Sequence, residues 1–203
     1  MAGEHYFSAT PGSAFTERSI TVRLAGADRR LVTAGGVFSP ERLDAGTQVL
    51  LDTVPVPPEA GNLLDLGCGW GPVALTLGLQ SPGATVWAVD VNERALELVR
   101  RNASALGITG VNASLPDGIP DAVRFATIWS NPPIRVGKAE LHAMLLRWLP
   151  RLEPGASAWL VVQKNLGSDS LHRWLDEEGF AVERAATSKG YRVLEVRSPG
   201  NSG

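Results

Sequence analysis

The sequence predicts one α/β domain with a mostly parallel, doubly wound sheet, and three observations carry that prediction. Strand-like and helix-like apolar patterns alternate from Asn62 onward, as crossover helices between parallel strands require. A glycine-rich loop, Gly67-Cys68-Gly69-Trp70-Gly71, leaves the first of those strands and opens a helix at Pro72, with Asp90 about one βαβ unit later. The 203 residues are 44% hydrophobic with a mean hydropathy of +0.00, enough for one good core and ordinary for a water-facing fold.

Residues 1–43 read as an irregular or β-containing lead-in, in which 20–24 alternates with period two and pairs with 30–33 across Gly26-Ala27-Asp28 as a hairpin. Residues 34–40 form a loop carrying the aromatic Phe38. A short helix over 44–52 cannot continue through Pro55-Val56-Pro57-Pro58. Strand 63–66, helix 72–79 and strand 85–89 follow, then a helix capped by Asn92 whose Leu96, Val99, Ala103 and Leu106 share one face before Gly107 stops it. Strands at 111–114 and 125–129, a helix over 138–149 with Leu141, Leu145 and Trp148 inward, and a strand at 157–162 complete the alternation. Helix 171–178 closes at Gly179, and 181–186 with 191–196 form a last strand pair joined through Ser188-Lys189-Gly190. The tail 198–203 has the composition of a flexible end. Without internal repeats or low-complexity tracts, a single domain over 1–203 is expected.

Composition excludes several classes. A net charge of −2 provides no global positive field for bare nucleic acid, so any RNA contact has to be local or made within a larger particle. Only Lys138, Lys164 and Lys189 among the 19 basic residues are lysines, and arginine offers planar, bidentate phosphate contacts; a compositional bias of the source would give the same pattern. The single cysteine, Cys68, allows no internal disulfide and suits a reducing compartment. His5, His142 and His172 are scattered with no carboxylate or thiol expected at ligand spacing, which predicts no metal. The first ten residues lack a basic region followed by an apolar stretch and no segment is long enough to span a membrane, so a cytoplasmic protein is expected. Oligomeric state is not legible.

The loop between the strand ending at Leu66 and the helix at Pro72 lets the backbone approach a ligand closely, and its amides and the helix N-terminus favour an anionic group. A dinucleotide fingerprint would carry its third glycine where this chain has Pro72. The spacing is Gly67-x-Gly69-x-Gly71 with Asp65 before it, a variant suited to the methionine end of S-adenosylmethionine, whose ammonium would lie near Asp65 or loop carbonyls. Asp90 can accept from both ribose hydroxyls, or serve as an acid at the start of the following helix. Asp117 is a candidate acceptor for the adenine amine, though Asp117-Gly118 is also good turn chemistry. Trp70 can wall the pocket or fill the core, and Cys68 is read as a packing residue.

Asn131-Pro132-Pro133-Ile134 follows the buried strand 125–129. With strand order 3-2-1-4-5, the first and fourth strands are neighbours at the switch point, which puts Asn131 beside the glycine loop. Two prolines fix a rigid turn and leave the carbonyls around Asn131 and Pro132 to accept hydrogen bonds. An amide oxygen plus a backbone carbonyl can hold both hydrogens of an exocyclic NH2. Such nitrogens are poor nucleophiles because their lone pair is delocalised, so polarising the N–H bonds and fixing the line of attack is the help they need. In isolation the same residues could be a plain turn.

These motifs resemble the small-domain class I S-adenosylmethionine-dependent methyltransferases, especially the group that contains the bacterial guanine-N2 methyltransferases of small-subunit ribosomal RNA. The similarity also covers Gly36-Val37-Phe38-Ser39 with Asp44-Ala45-Gly46-Thr47, the continuation Arg135-Val136-Gly137-Lys138, and Gly190-Tyr191-Arg192-Val193-Leu194, so it runs from about His5 to Arg197. It implies a Rossmann-like, mostly parallel seven-stranded sheet with helices on both faces and an antiparallel last strand, preceded by a short β/loop extension. It further implies S-adenosylmethionine on Asp65, Gly67, Gly69, Gly71 and Asp90, with Asn131 to Ile134 around the target amine. Many relatives carry Phe or Tyr where this chain has Ile134, so another aromatic, Phe38, would have to stack the base. The larger bacterial enzymes of the group have an additional N-terminal domain for which the lead-in leaves no room.

The expectation is an N-methyltransferase acting on guanine N2 in ribosomal RNA, with Asn131 and Pro132 as catalytic groups. Arg135, Lys138 and Lys189 are candidate phosphate contacts, or simply solvated charges. Glutamine methylation in a translation factor uses the same kind of turn, but the lead-in lacks the helical bundle of that family. A non-catalytic S-adenosylmethionine-binding or ribosome-assembly protein is the alternative from another class.

Overall fold

The computed structural model describes residues 16–197. The expected leader-free start, His5 and the flexible tail lie outside the described residues. Elements run β1 (Glu17–Leu24), β2 (Ala27–Ala34), α1 (Ala45–Thr53), β3 (Asn62–Leu66), α2 (Pro72–Gln80), β4 (Thr85–Val89), α3 (Glu93–Ala105), β5 (Val111–Ser114), β6 (Phe125–Ser130), α4 (Lys138–Trp148), β7 (Leu152–Gln163), α5 (Ser168–Glu177), β8 (Ala181–Ser188) and β9 (Tyr191–Arg197).

The main sheet has seven strands in the order β5-β4-β3-β6-β7-β9-β8. β5, β4, β3, β6 and β7 pair in parallel, and β9 runs antiparallel to both β7 and β8, so one strand alone is reversed. Because successive strand residues point to opposite faces, a strand covered on both sides reads as a continuous apolar run. Leu63 and Val161 accordingly join the cluster under α1, α2 and α3, while their neighbours Leu64, Leu160 and Val162 join the cluster under α4 and α5.

Several element bounds differ from the sequence reading, and three of the differences have a physical cause in the packing or pairing. The hairpin turns at Ala25 and Gly26, both at positive φ, one step earlier than expected. β7 begins at Leu152 rather than 157, because its pairing with β6 shifts register between Phe125 and Thr127 and recovers. α3 buries two faces rather than one: Leu96 and Val99 pack on the sheet, whereas Ala95, Leu98 and Ala103, with Leu106 beside them, pack on the β1–β2 hairpin. The hairpin is thus a third layer. Asn102, 1% exposed, joins it to the domain by accepting from the Val32 amide and donating to the Val32 and Trp70 carbonyls.

That third layer matters because the loop leaving β2 is tied along the sheet's carboxyl edge. Asn92 Nδ2 donates to the Gly36 carbonyl (2.8 Å), Arg94 to the Gly35 carbonyl (2.6 Å), and the Trp70 indole to the Ser39 carbonyl (3.2 Å). Val37 and Phe38 are held there over the ends of β3 and β4.

Candidate active site

A cavity of about 320 Å³ opens where β3, β4 and β6 end. Gly67, Gly69 and Asp90 line one half and Asn131, Pro132, Pro133 and Ile134 the other, with Phe38 also in the lining. The two halves touch: Ser130 Oγ donates to the Leu66 carbonyl at 2.6 Å, and a Cβ on Gly67 would lie 3.8 Å from Pro133 Cδ. The strand order thus brings the glycine loop and the Asn131–Ile134 turn together at the switch point.

The glycine loop is held from within. Gly67 and Cys68 amides both donate to the Val89 carbonyl (2.8 and 2.9 Å), the Gly71 amide to the Cys68 carbonyl (2.9 Å), and the Gly69 amide to Asp90 Oδ2 (2.9 Å). This corrects the expectation of a loop with amides available to an anion, since four of them are committed to the end of β4 and to the loop itself. The loop gives shape instead. Gly69 sits at φ 54° with open space where a Cβ would be, facing the cavity, and Gly71 at φ 98° is pressed against Val99, whose Cγ2 lies 2.9 Å from that position. Gly71→Ala combines a left-handed backbone with an overpacked contact, and a loss of about 2–5 kcal/mol of stability is expected. Thermal unfolding checks this; an unchanged Tm would show that the loop can relax.

Two acids stand at the carboxyl ends of β3 and β4. Asp65, 1% exposed, accepts from the Ala74 amide at 2.8 Å and so caps α2 from the strand beneath it. Burial, with a smaller contribution from nearby Asp90, pushes its carboxyl up to about 8. It lines a small recess beside the main cavity, together with Asp44, Thr47, Gly67 and Asn131. Asp90 is divided between two amides, Oδ2 to Gly69 and Oδ1 to Asn92 (2.9 Å each), and burial raises its pKa as well. A carboxylate oxygen accepts more than one bond, so both oxygens keep capacity for a pair of vicinal hydroxyls. A buried acid and a half-buried one beside a cavity with an open glycine face suit a ligand that joins a ribose to positive charge, and S-adenosylmethionine fits this description.

The Asn131–Ile134 turn is tighter than its sequence suggests. Pro133, at φ −74° and ψ 74°, centres an inverse γ-turn in which the Ile134 amide donates to the Pro132 carbonyl at 2.8 Å. One lone pair of that carbonyl is therefore committed, contrary to the expectation that it is wholly available, and the other remains. Asn131 Nδ2 donates to Asp44 Oδ2 (2.9 Å) and Thr47 Oγ1 (3.0 Å). Both amide hydrogens are used on the α1 side. An ionised carboxylate only accepts, so this fixes which end of the amide is nitrogen and leaves Oδ1 as the end available to an amine.

Other predicted residues divide. Ile134 and Arg135 line the cavity, and Phe38 does so with 47% exposure, as a stacking surface requires. Asp117 does not face the cavity; Pro116 takes that place, and the Asp117 carboxylate, 92% exposed, pairs with Arg147 at 2.8 Å. The 3₁₀ turn Pro116–Gly118 aims it outward, so the turn chemistry prevails over the adenine contact. Lys138 and Lys189 are exposed and away from the cavity lining. Trp70 is 2% exposed in the hairpin cluster while bordering the recess, and the Cys68 thiol, buried, has its pKa pushed up, as a packing residue would. His172 faces Asp176 at 3.8 Å on α5, a spacing that the reading of scattered histidines missed, yet no group of three metal-binding side chains occurs among the described residues. No helix among them is long and apolar enough to cross a membrane.

Sequence reasoning did not single out Asp44 and Thr47 for the site, nor Gln163 and Tyr191, which close the cavity from the ends of β7 and β9. Asp44 carried one usable signal, an N-cap residue inside the segment of family resemblance; for Gln163 no signal existed.

The family model described as the methyltransferase small domain matches residues 28–195. YbxB, an uncharacterized protein of Bacillus subtilis (strain 168), is 35% identical over 197 residues, covering 96% of this chain and 98% of that protein. A ribosomal RNA small subunit methyltransferase C of Pseudomonas aeruginosa (strain LESB58) is 36% identical over 179 residues, 86% of this chain and 52% of the relative. The chain spans about half the length of the curated methyltransferases of this name that it matches. Among solved structures, the T. thermophilus 16S rRNA N2 methyltransferase (RsmC) in complex with AdoMet and guanosine superposes with a TM-score of 0.77 at 24% identity, over 92% of this chain and 51% of that one, a likeness of fold.

Proposed function

The chain belongs to the methyltransferase small-domain family, and from that membership we propose that it methylates the exocyclic N2 amine of a guanine in ribosomal RNA, with S-adenosylmethionine as donor. The observation that carries this reading is the orientation of Asn131, whose amide nitrogen is tied back to α1 so that Oδ1 is available to accept from an NH2 group. When bound, S-adenosylmethionine supplies a sulfonium methyl: the acceptor nitrogen takes the methyl carbon, the carbon–sulfur electron pair stays on sulfur, and the nitrogen then releases one proton to solvent. Asp90 holds the ribose, Asp65 faces the cationic end, and Gly67 and Gly69 let the donor lie against the backbone. Asn131 Oδ1 and the remaining lone pair of the Pro132 carbonyl fix the amine on the line of attack. Phe38 stacks the base in place of the aromatic that Ile134 does not provide, and Arg135 at the rim meets a phosphate. The resemblance to ribosomal RNA methyltransferases supports RNA as the acceptor class.

Methyl label transferred from S-adenosylmethionine to separate small-subunit rRNA, tRNA, DNA and protein pools, followed by nucleoside or peptide analysis, tests this. Label recovered as N2-methylguanosine from small-subunit rRNA is the expected result. Label confined to glutamine in protein would overturn the substrate.

A further inference from the structure

We propose that Asp44 and Thr47 act as positioning residues for methyl transfer, clamping the Asn131 amide and passing the charge of the carboxylate through it to the acceptor nitrogen. This inference rests on the acceptor reading above. It starts from an economy at the N-terminus of α1: Asp44 Oδ2 accepts the helix-capping amides of Gly46 (2.8 Å) and Thr47 (3.1 Å) and, at the same atom, Asn131 Nδ2 (2.9 Å). Thr47 Oγ1, on a residue 4% exposed, takes the second bond from Asn131 Nδ2. Four residues are locked together across the sheet edge, and the helix can come this close only because residue 46 is glycine. A Cβ there would stand 2.8 Å from the Tyr191 ring and 2.9 Å from Asp44 Oδ2.

The chemistry gives the clamp its use. An exocyclic amine becomes cationic as it takes a methyl group, and a neutral asparagine oxygen is a modest stabiliser of that charge. A carboxylate bonded to the amide N–H side draws electron density toward Oδ1, so hydrogen bonds in series strengthen one another. The site thus brings an anionic group to bear without placing it on the amine, where it would also have to be desolvated at close range. Thr47 holds the amide plane so that this polarisation points along one direction.

Asp44→Asn separates charge from shape. Asparagine is as good an N-cap as aspartate and keeps an oxygen for the three donors. Single-turnover transfer to small-subunit rRNA is expected to fall about 10- to 100-fold, the range seen when the partner that orients a metal-ligating side chain is removed, while Kd for S-adenosylmethionine stays within about twofold. Thr47→Val is expected to slow transfer similarly and Thr47→Ser to restore it, a rescue that mere packing would not give. Independent of turnover, the Asn131 side-chain NH2 resonances, assigned by their loss in Asn131→Asp, are expected to exchange slowly with solvent in the wild type and in Thr47→Ser, and fast in Thr47→Val. Wild-type rates in both Asp44→Asn and Thr47→Val would overturn the proposal, as would loss of cofactor affinity in step with rate. If the wild type labels no RNA, the acceptor reading fails, and fast exchange of the Asn131 amide in the wild type would overturn the clamp separately.

Discussion

Asn131→Ala is expected to lower methyl transfer by about 10²- to 10³-fold, the loss typical when one preorganised polar group facing the reacting charge is deleted, with cofactor affinity held within about twofold. The asymmetry follows from where the residue stands. Asn131 belongs to the turn after β6, and the cofactor half is held by bonds that do not involve it: Gly67 and Cys68 to Val89, Gly69 to Asp90, Ala74 to Asp65. Asp44 keeps its two capping amides in the variant, so α1 is not undone. Equal loss of transfer and of cofactor binding would show that Asn131 belongs to the donor site instead. Asn131→Asp is the sharper variant. It sets a second carboxyl against Asp44 at the place where Nδ2 now donates across 2.9 Å, and two carboxylates that close cannot both ionise. One proton has to be shared, so the residual rate of Asn131→Asp is expected to fall relative to wild type as pH rises and that proton leaves. A pH-rate profile parallel to wild type would rule out the Asp44–Asn131 contact.

What the sequence made legible were features that depend on neighbours in the chain. Strand order, the glycine loop and the acceptor turn were readable because βαβ alternation, Gly67-x-Gly69-x-Gly71 and Asn131-Pro132-Pro133 are local patterns whose meeting point follows from topology. The misses share a cause. Asp44 reaches Asn131 across 87 residues, so a cap read locally as the start of α1 gave no hint of its second partner. Asp117 was drawn toward the cofactor by its position after β5, yet the 3₁₀ turn at Pro116 gives its carboxylate to Arg147. The loop amides looked available because the Val89 carbonyl that takes two of them belongs to another strand. The two-sided burial of α3 needed the hairpin, whose docking on Asn102 periodicity alone does not encode.

Asp65 leads to the second large effect, on pH. Its folded pKa of about 8 lies above the ordinary 3.8, so the folded state binds more protons than the unfolded state between those values. The stability this group contributes is fully present below about 4 and is lost as pH rises through about 8, with a ceiling on the order of 5 kcal/mol. Asp65→Asn keeps an acceptor for the Ala74 amide and removes the titration, so its Tm is expected to change less between pH 6 and pH 9 than that of the wild type. The same proton governs the cofactor if the ammonium of S-adenosylmethionine faces Asp65. Binding then requires an ionised acid and a protonated amine, and an α-amino group titrates at about 7.7–8.0. Affinity is expected to rise by up to about tenfold per pH unit below 7, to peak near 8 and to fall above 9. At pH 7 calorimetry in buffers of different ionisation enthalpy is expected to find a net release of about 0.8 proton per cofactor bound, Asp65 losing nearly one and the ligand amine regaining a small fraction. Asp65→Asn removes the rising limb and keeps the falling one, which belongs to the ligand. Binding with no proton release at pH 7, or a rising limb that survives in Asp65→Asn, would place the cationic end of the cofactor elsewhere, with Asp65 serving only to cap α2.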